Sequence, residues 1–86
     1  MTEISWNALK SKRLKMVRGV SFEEMLQMKL VKIREHPTKS HQKMMLYDYK
    51  GYIWAVIFVG SEQEGVFLKT MYPSRKYTKQ YQRGEL

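Results

Sequence analysis

The chain has 86 residues, with 16 Lys and Arg against 8 Asp and Glu, a formal net charge of +8, and 43% hydrophobic, 13% aromatic and 28% charged residues. That length allows one domain, 1–86, with an ordinary share of core material, and leaves no room for an enclosed large-cofactor cavity. The lack of Cys excludes a disulfide framework and a thiolate zinc site and fits a reducing compartment, with the cytoplasm as the expected location.

The longest apolar run, residues 52–59, falls far short of the ~20 residues of a spanning helix. The opening Met-Thr-Glu-Ile-Ser-Trp has neither the basic nor the apolar region of a signal peptide, so no membrane role is expected. The positive excess attracts phosphate-rich partners or an acidic protein.

In chain order, Trp6, Leu9, Arg13 or Leu14, and Val17 recur at helical spacing, with Lys10, Lys12 and Lys15 largely between them. They predict an amphipathic helix of about ten to thirteen residues, ended by Gly19. Ser21 and Glu24 form a capping box, and Val20 is placed to staple onto Met25. A second helix should therefore run from Phe22 to Met28 or Lys29, completing a helical hairpin. Residues 30–35 read as a half-exposed strand that His36-Pro37 ends, with a loop over 37–40. Residues 42–49 read as the next strand, Lys50-Gly51 as a hairpin turn, and 52–59 as a central strand covered on both faces. A polar turn over 60–65 leads to a fourth strand over 66–71, giving an antiparallel meander. Ser74 is placed as the N-cap of a last helix that runs to about Gln82. Arg75 and Lys76 stand in its first turn, where the macrodipole disfavours cations by roughly 0.3–1 kcal/mol each. A locally unfavourable choice of this kind suggests that a partner needs the charge. The expected fold is α+β: an N-terminal helical hairpin, a four-stranded antiparallel sheet and a basic C-terminal helix.

Several stretches carry a family resemblance together: Trp6-Asn7 through Lys10, Arg18-Gly19-Val20-Ser21-Phe22-Glu23-Glu24, His36-Pro37, and Phe67-Leu68-Lys69-Thr70-Met71-Tyr72-Pro73-Ser74-Arg75-Lys76. In this order they resemble the BrnT-type toxins of bacterial type II toxin–antitoxin systems, a family similar to the RelE/ParE ribonuclease toxins. The resemblance implies a ribonuclease that inhibits growth and is neutralised by a small antitoxin, often of ribbon-helix-helix type, in a heteromeric complex. Two departures mark an atypical subgroup. Arg18-Gly19 stands where the better-known branch carries a His-Gly, and Lys69 and Arg75, six apart, do not match the branch with a shorter Arg-to-Arg spacing before the C-terminal helix.

Cleavage of RNA by its 2′-OH needs a base, an acid for the leaving 5′-oxygen, and cations on the phosphate. Arg75 and Lys69 are the candidate phosphate clamp, since Arg suits bidentate phosphate binding and Lys supplies a point charge. His36 or Tyr72 is the candidate for proton transfer, and Lys39, Lys76, Lys79 and Tyr77 for binding the strand. For Lys76 and Lys79 a solvated helix face is the competing reading, and for Tyr77 and Tyr81 it is packing onto the sheet. His36 and His41 lack a supporting carboxylate, so no metal and no cofactor is expected. Capping already accounts for Glu24, and Trp6, Trp54, Phe58 and the Met residues read as core. The alternatives to a ribonuclease toxin are a non-catalytic nucleic-acid-binding module and a protein-interaction domain.

Overall fold

Local sequence sets most element boundaries in the computed structural model, which describes residues 3–86. Met1 and Thr2, which open the signal-peptide reading, lie outside the described residues. Helix α1 spans Ala8–Arg18 because the Asn7 side chain accepts the Lys10 N–H at 3.1 Å, while Gly19, at φ 85°, returns its own N–H to the Lys15 carbonyl. The capping box forms in full: the Ser21 hydroxyl accepts the Glu24 N–H, and the Glu24 carboxylate accepts the Ser21 N–H.

Helix α2 is nevertheless a single turn, Phe22–Met25, rather than a helix reaching Met28 or Lys29. The N–H groups of Gln27 and Met28 bond back to Glu24 and Met25, which tightens the chain and delivers Lys29 to pair with Asp48. Strand β2, Lys29–Glu35, starts there. It is followed by β3, Lys43–Tyr49, β4, Tyr52–Ser61, and β5, Gly65–Pro73.

The sheet has five strands, not four, and is mixed. Residues Ile4–Trp6 form a short strand, β1, that pairs in parallel with β5 through Ile4–Val66, Ser5–Phe67 and Trp6–Leu68. Trp6 is therefore a strand residue rather than the start of the first helix, and its ring packs 6.2 Å from that of Phe22. The strand order is β1-β5-β4-β3-β2, which puts β4 in the centre as expected. Alternation along β4 divides the core in two. Trp54, Val56 and Phe58 pack with Leu14, Val20, Phe22 and Met25 beneath the helical hairpin. Ile53, Ala55 and Ile57 face the other way, with Met44, Leu46 and Tyr77.

Helix α1 turns a different stripe inward from the expected one. Ser11 and Leu14 are buried, whereas Leu9 and Val17 are exposed. The choice is made by Ser11, whose hydroxyl accepts the Phe22 N–H at 3.0 Å and donates to Glu23 at 2.6 Å, fastening that face of α1 to α2. Helix α3, Arg75–Gln82, lies on the opposite side of the sheet, with Ser74 as its N-cap as predicted.

Candidate nucleic-acid interface

Helix α3 is joined to the central strand at both polar groups of one residue. The Ser74 N–H donates to the Ile53 carbonyl at 2.8 Å, and the Ile53 N–H donates to the Thr78 hydroxyl at 2.8 Å. Thr78 in turn donates to the Ser74 carbonyl at 2.7 Å, while the Ser74 hydroxyl accepts the Tyr77 N–H. At the far end of α3 the Tyr81 hydroxyl donates to Asp48 at 3.0 Å, and the other oxygen of Asp48 accepts the Gly51 N–H at the β3–β4 turn. The helix is thereby fixed across the sheet, and its exposed cations have a defined position.

Two rows of paired residues run beneath it. One reads Arg34, Met44, Ile57, Thr70 across β2, β3, β4 and β5; the next reads Lys32, Leu46, Ala55, Tyr72. The Tyr77 ring packs among the apolar middles of these rows. Two cations each lie against that ring: the Arg34 guanidinium 5.5 Å from its centroid and the Lys76 ammonium at 5.4 Å. Among the described residues the ion pair is Lys15–Glu24, so neither cation is neutralised by a carboxylate. Two cations without a carboxylate partner beside one tyrosine ring, with the Tyr72 side chain exposed on the same face of the sheet, give this face a positive potential.

The structure redistributes the residues expected to form the site. Arg75, Lys76 and Lys79 are exposed on α3, and Tyr72 stands on β5 on the same side of the sheet as α3. Tyr77, a candidate for binding the strand with packing onto the sheet as the competing reading, is only 8% exposed: it packs, its ring filling the second core with Arg34 and Lys76 against it. Lys69 is not beside Arg75. It is the extra residue of a bulge in β5, between the Phe58–Leu68 and Ile57–Thr70 pairs. It lines a cleft of about 450 Å³ with Asn7, Lys10, Arg13 and Phe67 at the start of α1.

His36 also stands apart. It follows the row Glu35, Lys43, Phe58, Leu68, whereas α3 leaves β5 at the row Leu30, Tyr47, Trp54, Pro73, roughly 13 Å away along the strands and about 14 Å across them. Its Nδ1 accepts the N–H groups of Thr38 and Lys39 at 3.2 and 3.1 Å, so the imidazole shapes its own loop. Lys39 and His41 are exposed in that loop, and among the described residues no group of three His, Asp or Glu is placed to hold a metal ion. Arg18 donates to the Met71 carbonyl and fastens α1 to β5.

Sequence reasoning missed Arg34 and Lys32. Their signal was present: on a strand, two cations two residues apart must share a face. No protein-family model matches the chain, and no curated protein matches it significantly. Among solved structures, the chain is similar to the ribonuclease toxin BrnT of Brucella abortus, with 25% identity and a TM-score of 0.56 over 86% of this chain and 97% of that one. Over most of its length the chain is therefore BrnT-like in fold, in agreement with the family that its sequence motifs resemble.

Proposed function

We propose that this chain is the toxin of a toxin–antitoxin pair, an endoribonuclease whose RNA site is the α3 face of the sheet. The observation that carries the reading is that Arg34 and Lys76 each lie against the Tyr77 ring, in a BrnT-like fold, without a carboxylate partner. In the reaction the ribose 2′-oxygen bonds to phosphorus and the bond to the 5′-oxygen breaks, leaving a cyclic phosphate and a free 5′-hydroxyl. Negative charge builds on the non-bridging oxygens as this happens, and Arg34 and Lys76 are placed to meet it. Arg75 opens the same helix and extends the cationic surface. The Tyr72 hydroxyl is the group on this face to which we assign proton donation to the leaving 5′-oxygen, the 2′-hydroxyl proton passing to solvent water. Neutralisation by an antitoxin in the cytoplasm completes the proposal.

Purified protein should cut a mixed-sequence RNA, and Arg34→Ala or Lys76→Ala should slow cutting roughly 10²-fold with an unchanged melting temperature. Primer extension on the treated RNA is the measurement, and uncut RNA with the wild-type chain overturns the nuclease. A binding-only module is the second reading, favoured by the His36 Nδ1 being taken up by the N–H groups of its own loop. It predicts that Arg34→Ala weakens RNA binding although no RNA is cut.

A further inference from the structure

The outward face of α1 is left unused by the fold. Leu9, Met16 and Val17 are 75%, 86% and 74% exposed, although the helix of a small domain ordinarily turns its large aliphatic side chains inward. At 3.6 residues per turn, positions 9, 13, 16 and 17 lie along one stripe, so the three apolar side chains surround Arg13 as a patch. Single exposed apolar residues are ordinary; a contiguous patch marks an interaction site. The stripe runs into the cleft at the start of the helix, where Leu9 is one wall and Lys10, Arg13 and Lys69 converge. Helix α1 contains no acidic residue, and its recorded ion pair uses Lys15, on the other side.

We propose that this surface is the docking site for an acidic amphipathic helix of a partner protein. Aliphatic side chains of the partner would cover Leu9, Met16 and Val17, and its carboxylates would enter the cleft beside Lys10 and Arg13. The chemistry selects this occupant. A second copy of the chain would set one cationic helix against another. Nucleic acid would satisfy the cations but leave the aliphatic stripe uncovered, since bases stack on aromatic rings or guanidinium planes. An acidic amphipathic helix meets both needs. The proposal deepens the partner half of the reading above and rests on it for the existence of a partner. The surface is separate from the Arg34–Lys76 pair, so cleavage and docking fail independently.

The test uses a fluorescein-labelled peptide of about 18 residues, with leucines at helical spacing and glutamates elsewhere, and a scrambled peptide of the same composition. Anisotropy titrations should show the amphipathic peptide binding at least tenfold more tightly than the scrambled one. The triple variant Leu9→Ser, Met16→Ser, Val17→Ser should weaken it at least tenfold, as should Lys10→Gln with Arg13→Gln. Both variants should keep their melting temperature, and the serine variant should cut RNA at the wild-type rate. Equal affinity for the two peptides, or unchanged affinity in both variants, overturns the proposal. Loss of RNA binding in the serine variant would assign the stripe to nucleic acid, and a dimer abolished by that variant in sedimentation equilibrium would assign it to a second copy; either result overturns it.

Discussion

Thr78 is the side chain on which the seating of α3 depends. It is 4% exposed, and its one hydroxyl both accepts from the Ile53 N–H and donates to the Ser74 carbonyl. Thr78→Val keeps the shape and removes both bonds, leaving a buried N–H on the central strand without a partner. The expected loss is about 1–3 kcal/mol, the usual cost of an unsatisfied buried polar group, measured by urea denaturation. RNA cleavage should fall as well, because the helix that loses its anchor carries Lys76 and Tyr77. An undiminished cleavage rate in a folded Thr78→Val protein would show that the site does not need this anchor. The same dependence explains why a buried threonine is tolerated here: both of its hydrogen-bonding directions are used.

At the scale of elements, the join between α1 and α2 carries an acid-sensitive contact. The Glu24 carboxyl is held below its ordinary value of 4.5, first by its hydrogen bond to Lys15 and then by the Ser21 N–H. A carboxyl whose pKa is lower folded than unfolded contributes stability above the unfolded value, and that contribution is lost as pH falls through the folded one. Wild-type protein should therefore melt above Glu24→Gln at pH 6, with the gap closing as pH falls below 4.5. A gap that is constant with pH would remove Glu24 from this role.

The elements that could be read from sequence are those set by near neighbours. Ser21 with Glu24, Lys50-Gly51 and Ser74 each act within a few residues, and all three turn or cap the chain where expected. Strand β1 could not be read this way, because three residues are too short for an alternation signal and its partner Val66 lies far along the chain. The inward face of α1 was equally hidden. Leu9 and Val17 satisfy the helical period as well as Leu14 does, and the decision falls to a serine contacting Phe22 and Glu23. The site divides along the same line. The cations of α3 stood out because they oppose the helix dipole, whereas Arg34 acquires its meaning only from the strand pairing and from Tyr77.

For the molecule as a whole, the net charge of +8 is spread over both sides of the sheet, with Arg34 and Lys76 on one and Lys10 and Arg13 on the other. General attraction should therefore persist when a single local cation is removed. Each phosphate contact on a single strand contributes about 0.7 to the slope of log affinity against log salt concentration. Lys76→Gln should lower the measured slope for single-stranded RNA by about that amount, while Lys12→Gln, on the outward side of α1, should leave it unchanged. Equal slopes for wild type and Lys76→Gln would place the RNA elsewhere.

The pairing of Ile4 with Val66 also orders events in time. A ribosome releases α1 early, and α1 with the capped turn after it is built from local contacts that form quickly. The cation pair cannot exist at that stage, because Arg34 waits for Tyr77 and Lys76 to emerge and for α3 to seat on β4. The residues of the outward stripe of α1 are thus synthesised before the proposed phosphate site can assemble. On the two proposals above, a partner that recognises the stripe meets its residues first, so that restraint is in place before there is anything to restrain.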